Sequence, residues 1–180
     1  MEKSKGKKMI PEAEFEKTEK FAKQAFEKQG KLYPMFIFMF GEERKVMLTK
    51  FNNDEEKEMA FIFLRKFVEK ERPSGYFVMT EGWMNTSNKE NEMGIRPSQS
   101  PNKKTVLIIS YFGSDMHTQT KIYKVDNKDK TINFIELPIP KNTESHSRFN
   151  FYVEDASPTY DEIKEKYKDK IKINREENNG

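Results

Sequence analysis

Apolar residues recur along the first part of the chain at the spacing of a helix, and charged residues fill the opposite face. The apolar positions are Phe15, Ala22, Ala25 and Phe26. Pro11 suits the first turn of such a helix, and Gly30 suits its C-terminal end. We therefore predict a first helix between Pro11 and Gly30.

Two apolar segments follow this helix. Met35–Phe40 is apolar at both alternating sets of positions, which is typical of a strand that is covered on both faces. A short polar sequence separates it from a second segment that begins at Val46–Leu48. Because so short a connection permits only an antiparallel pair, we predict a β-hairpin.

A second helix is predicted after the hairpin. Asn53 followed three residues later by Glu56 fits a capping box, and Pro73 ends the pattern, with a chain turn at Gly75. We expect the buried stripe of this helix to be widened by Phe61, Ile62 and Val68 and to contain Met59, Ala60, Phe63, Leu64 and Phe67.

The second half of the chain contains four further strand-like segments and one more helical pattern. The predicted strands are Tyr76–Met84, Thr105–Phe112, Lys121–Val125 and Thr131–Leu137. A last amphipathic helix is predicted from Ser157 to about Ile171.

The element order is α-β-β-α-β-β-β-β-α, and the short connections favour antiparallel pairing. We predict an α+β fold with a single layer of five or six mainly antiparallel strands and helices packed on it. This order is similar to that of roadblock, longin and profilin-type domains. We expect one domain over residues 11–172, between a flexible basic tail at 1–10 and a flexible tail at 173–180.

Composition limits the classes of function. The chain has 33 basic and 30 acidic residues in 180, a net charge of +3, and no cysteine. Disulfides and cysteine-based zinc sites are therefore excluded. No apolar segment reaches the length of a membrane span, and the first residues lack the apolar part of a signal peptide. We expect a cytoplasmic protein that uses no membrane, cofactor or metal.

The segment from Thr80 to Ser110 carries the candidate site. Side chains alternate along a strand, so Glu81 lies between Met79 and Trp83 on one face. The polar loop that follows, from Asn85 to Lys104, is long for a compact domain and contains Arg96 before a proline. We expect Arg96 to pair with Glu81 and to stack on Trp83. The pair would either hold the loop in place or line a binding site.

The sequence around this segment resembles a group of uncharacterised bacterial and phage proteins. In that group a Ser-Glu-Ala-Trp-like strand end is followed by a variable loop, an Arg-Pro-Ser-x-x-Pro segment and another apolar strand. The matching positions here are Glu81, Trp83, Arg96, Pro97, Ser98 and Pro101. The resemblance implies an ordered loop, and it implies no reaction because no activity is assigned to the group.

Three functions compete at this point. The absence of catalytic motifs favours a non-enzymatic protein-binding or adaptor module, with a protein partner or a homo-oligomer, and Glu81, Trp83, Arg96 and Ser98 as its candidate binding residues. A nucleic-acid-binding protein is the first alternative, with Tyr111 and Tyr123 placed for base stacking. Its candidate residues are Lys103, Lys104, Lys121 and Lys124. The second alternative is an enzyme with a carboxylate-centred site at Glu81, assisted by Asp115, His117 or Arg96.

Overall fold

The structure is a computed structural model that describes residues 12–85, 101–128, 131–139, 151–152 and 165. Two helices and six strands lie in these residues. The elements are α1 (Glu12–Gln29), β1 (Met35–Phe40), β2 (Glu43–Leu48), α2 (Asp54–Glu71), β3 (Gly75–Asn85), β4 (Lys103–Gly113), β5 (Thr118–Lys128) and β6 (Thr131–Leu137).

The six strands form one open antiparallel sheet in the order β2-β1-β3-β4-β5-β6. The β1–β2 hairpin and the β3–β6 meander are each built from strands that are consecutive in the sequence. The two parts join where β3 pairs with β1. The predicted α+β class, the strand number and the element order as far as β6 are confirmed. Of the predicted helix from Ser157, only Glu165 is described, and it is helical. Both predicted tails lie outside the described residues.

The described residues fall into two compact units. The first unit contains α1 and the whole sheet, and the second contains α2 and residues 151–152. All of the candidate site residues that the structure describes lie in the first unit.

Helix α1 packs on one face of the sheet through the predicted apolar stripe. Phe15, Ala22 and Phe26 are buried. The rings of Phe15 and Phe77 meet edge to face at 5.6 Å. Gly30 has a φ of +69° and donates its N–H to the Phe26 carbonyl at 2.7 Å, so a left-handed glycine ends the helix as predicted.

The opposite face of the sheet carries a row of buried aromatic rings. Phe36 and Phe38 are fully buried on β1, and Phe38 contacts Tyr76, which in turn contacts Phe112 at 5.4 Å between ring centroids. Met39 is also buried, on the α1 side. Side chains from both alternating sets of β1 are therefore buried, as the sequence predicts.

Helix α2 begins and ends close to the predicted positions, and its buried residues belong to the predicted stripe, but one member of that stripe is exposed. The Asn53 side chain accepts the Glu56 N–H at 2.8 Å, while the Glu56 carboxylate accepts the N–H of Asn52 rather than that of Asn53. The buried residues are Phe61, Leu64 and Val68, and Phe63 is 61% exposed. The predicted place of Phe63 in the buried stripe is wrong, because the apolar segment is continuous enough for either face to be buried.

The turn after α2 also differs from the prediction. Arg72, not Gly75, adopts the left-handed conformation, with a φ of 49°, and donates its N–H to the Val68 carbonyl at 3.0 Å. Gly75 already belongs to β3. A Cβ at Gly75 would overlap the ring of Tyr111, so this glycine makes room for a neighbouring aromatic side chain.

Candidate functional site

Glu81 lies on the α1 face of β3, between Met79 and Trp83, as the strand alternation predicts. Its carboxylate Oε2 accepts the backbone N–H of Leu32 at 2.9 Å, and the Leu32 side chain is buried. Leu32 belongs to the short connection between α1 and β1. Glu81 therefore fastens the end of α1 to the sheet, through a partner that the sequence did not indicate.

Of the other predicted site residues, the structure describes only Trp83. Arg96 and Ser98 lie outside the described residues, so the pairing of Arg96 with Glu81 stays a prediction. Trp83 is 49% exposed, and the Lys103 ammonium lies 5.4 Å from its ring centroid. A cation over an indole ring is an attractive contact, and here it occurs where β3 ends and β4 begins.

The four lysines proposed for nucleic-acid binding do not share a surface. Side chains alternate along β4 and β5, and the register pairs Ile109 with Lys121 and Val106 with Lys124. Lys103 and Lys121 therefore lie on the α1 face, while Lys104 and Lys124 lie on the opposite face.

The tyrosines of the same hypothesis are also placed differently from the prediction. Tyr111 and Tyr123 are 6% and 2% exposed. Base stacking needs an accessible ring face. Neither ring offers one.

A charged cluster joins α1 to β5. Lys23 donates to Glu19 at 2.6 Å, and Lys121 donates to the other oxygen of the same carboxylate at 3.1 Å. The Lys23 ammonium also lies 3.8 Å from the centroid of the Tyr123 ring. The sequence does not indicate this cluster, because Glu19 and Lys121 are 102 positions apart in the chain.

The contacts in this cluster stabilise the charged forms of Glu19 and Lys121. Burial opposes the charge on Glu19, but hydrogen bonds from Lys23 and Lys121 outweigh it and lower the pKa of Glu19 below its usual value. Burial likewise opposes the charge on Lys121, and its bond to Glu19 raises the pKa of Lys121. Burial, together with the Glu19 carboxylate, raises the pKa of Tyr123.

These shifts do not suit proton transfer near neutral pH. A general acid or base works best with a pKa close to the operating pH. Here the carboxylate, ammonium and phenol pKa values all move away from neutrality. The Tyr123 hydroxyl is buried near Glu19 but has no partner in hydrogen-bonding geometry among the described residues. The cluster is therefore a contact that positions α1.

Asp115 and His117 lie at the far end of the sheet from Glu81. Asp115 accepts the backbone N–H of His117 at 3.0 Å and so shapes the β4–β5 turn. That turn adjoins Gly113, which pairs with Gly75, and Glu81 is six residues further along β3, or about 20 Å. The structure does not bring these groups together. Among the described residues there is also no group of three side chains that could hold a metal ion.

An exposed apolar surface occurs instead at strand β2, which lies at the edge of the sheet. Val46 and Leu48 are 59% and 61% exposed, and they lie on the α1 side next to their partners Ile37 and Met35. Phe21 of α1 is 46% exposed. The exposed Phe21, Val46 and Leu48, together with the partly buried Met35 and Ile37, are called the β2 face below.

The flank of α1 that carries Phe21 looks towards β2. Glu14 lies seven residues before Phe21, which places both side chains on the same flank of the helix. The Glu14 carboxylate lies 3.6 Å from the guanidinium of Arg44 on β2. Val46 and Leu48 of the edge strand therefore stay exposed on the side of the sheet that the Phe21 flank of α1 faces.

The backbone of β2 offers hydrogen bonds along the same side. Gly41, with a φ of +64°, and Glu42 form a two-residue turn between the paired residues Phe40 and Glu43. In a hairpin with a turn of this length, the two residues that flank the turn form a hydrogen-bonded pair. Bonded pairs alternate in an antiparallel ladder, so Glu43, Lys45 and Met47 bond to β1. The N–H and C=O groups of Arg44, Val46 and Leu48 consequently point outward, and no strand pairs with this edge in the part of the chain that the structure describes.

The sequence predicts the apolar strand segment Val46–Leu48 but not its place in the sheet. The position of β2 at the edge depends on the pairing of β1 with β3, which are separated in the sequence by β2 and α2. No local pattern encodes that pairing.

Neither α1 nor α2 is long and apolar enough to cross a membrane. No protein-family model, curated protein or solved structure matches this chain. The resemblance seen between Glu81 and Pro101 accordingly stays a prediction.

Proposed function

We propose that this protein is a non-enzymatic protein-binding module that takes up an extended segment of a partner along β2. The observation that carries the proposal is the coincidence of outward-pointing backbone groups with exposed apolar side chains at Val46 and Leu48. In strand addition, the main-chain hydrogen bonds supply affinity and the alternating side chains supply specificity.

The charges on β2 also fit a docking edge. Natural sheet edges are protected against pairing by charged side chains, and Glu43, Arg44 and Lys45 fill the first half of β2. The second half, Val46–Leu48, has no charge. An incoming strand would make its apolar contacts with the uncharged half, and its own charges would pair with the charged half and so fix its direction.

Strand β2 is a better docking place than the strand end at Glu81. The Glu81 carboxylate already accepts the Leu32 N–H, so a ligand for it would compete with the contact that holds α1. A partner that docks on the exposed side chains of the β2 face would not break this hydrogen bond.

The proposal can be tested by photo-crosslinking in cells that express the protein. Benzoylphenylalanine is placed at Val46, and at Ile135 as the matched control. Ile135 is 47% exposed on the opposite edge strand β6. We expect one discrete covalent adduct from position 46, its loss when Leu48→Asp is added, and no such adduct from position 135. Equal adducts from both positions, or none from position 46, would contradict the proposal.

A further inference from the structure

We infer that the strand added to β2 is β2 of a second copy of this chain, in an antiparallel pair whose two-fold axis passes beside Val46. This inference rests on the proposed function, because it names the partner for the same edge. It makes a continuous sheet from the six strands of each copy.

The backbone allows this pairing. With Val46 opposite Val46 of the second copy, Arg44 faces Leu48 and Leu48 faces Arg44. These are the residues whose N–H and C=O groups point outward. Each such pair exchanges two hydrogen bonds, so about six backbone hydrogen bonds form across the axis. The pairing uses the edge groups that point outward and leaves the β1–β2 ladder intact.

Charge selects this register over its neighbours. If the two-fold axis moves by one residue to Lys45, Lys45 lies opposite Lys45 of the second copy, and if it moves by two residues, Arg44 lies opposite Arg44. If the axis moves the other way, to Met47, only the last residues of the two strands overlap. Like charges directly opposite one another destabilise a sheet. In the register centred on Val46, each basic side chain of β2 faces an apolar one, with Lys45 opposite Met47. Arg44 keeps Glu14 of its own chain at 3.6 Å.

The symmetry also joins the two apolar surfaces. A two-fold axis that pairs edge strands antiparallel stands perpendicular to the sheet, so the β2 faces of both copies lie on the same side. Val46 and Leu48 of each copy then form one floor, bordered on both sides by Phe21. The net charge of +3 on 180 residues gives little repulsion between copies.

Sedimentation velocity over a range of concentrations tests the inference. The wild-type mass should rise from 21.4 kDa towards twice that value. Val46→Pro removes an outward N–H and no β1–β2 bond, and proline is tolerated on an edge strand. It should weaken dimerisation at least tenfold with unchanged circular dichroism. Val46→Asp is the second variant should the proline disturb the strand. Ile135→Asp, on β6, should dimerise like wild type.

A cysteine variant tests the register. The chain has no cysteine, so Val46→Cys introduces the one thiol. Opposite residues in a bonded antiparallel pair have Cα atoms about 5.5 Å apart, within disulfide reach. Mild oxidation should give a covalent dimer, and Lys124→Cys should not.

The outcomes separate the inference from the function on which it rests. A wild-type chain that stays at 21.4 kDa at several hundred micromolar overturns the inference, as does a dimer that Val46→Pro and Val46→Asp leave intact. In either case a specific adduct from position 46 with a different protein would still support strand addition at β2. Loss of both results would remove both proposals.

Discussion

Replacing Glu81 tests whether this carboxylate is part of the scaffold. The Glu81 carboxylate accepts the Leu32 N–H at 2.9 Å, close to a buried leucine side chain. Glu81→Ala removes the acceptor and leaves a partly buried N–H without it. Hydrogen bonds to charged groups contribute about 1.5–3 kcal/mol, and we expect a loss of stability in that range. Glu81→Gln keeps a neutral acceptor, so its cost should be about half as large.

Urea unfolding followed by circular dichroism measures this difference. Glu43→Ala, an exposed carboxylate on β2, is the control and should change the free energy of unfolding by less than about 0.5 kcal/mol. Two results would refute the reasoning. Glu81→Ala could unfold at the wild-type urea concentration, or the alanine and glutamine variants could be equally destabilised. Photo-crosslinking from Val46 should be unaffected in both variants, since Glu81 has no part in the proposed docking edge.

Three further predictions concern the scaffold. Folding lowers the pKa of Glu19 from 4.5, so the ionised carboxylate stabilises the protein above pH 4.5, and this stabilisation is lost as the pH falls further. In Glu19→Gln, the midpoint of thermal unfolding should therefore fall less steeply towards acid pH than in the wild type. Leu64→Ala should cost about 2–5 kcal/mol in urea unfolding, whereas Phe63→Ala, at a 61% exposed position, should cost less than about 1 kcal/mol; the reverse order would contradict the assigned face of α2. Glycine adopts a φ of 49° with less strain than arginine, so Arg72→Gly should stabilise the protein by about 0.5–1 kcal/mol. The midpoint of thermal unfolding should therefore rise, and an unchanged or lower midpoint would contradict this reasoning.

The elements of this fold could be predicted from local signals. Helix limits at Gly30 and Asn53 follow from capping chemistry, and the β1–β2 hairpin follows from its short polar connection. The exposure of Phe63 on α2 could not be predicted, because apolar side chains surround much of that helix and packing selects which of them are buried. When apolar residues follow one another without interruption, their spacing does not show which of them face the core, and Phe63 was therefore assigned wrongly.

The candidate site was harder to predict than the fold. The strand alternation placed Glu81 and Trp83 on one face, but a carboxylate that accepts the N–H of Leu32 has no sequence pattern. The separation of Lys103 from Lys104 by face could have been read from the alternation alone. The edge position of β2 could not, since it depends on which distant strand pairs with β1.

Amide hydrogen exchange, resolved by residue along β2, tests the docking edge most directly. In dilute solution the N–H groups of Lys45 and Met47 should be protected by β1, while those of Arg44, Val46 and Leu48 should exchange fast. When the protein concentration rises until the copies associate, protection should appear at these three outward groups and leave the other two unchanged. Association that leaves the Val46 amide as fast as before would contradict strand addition at β2.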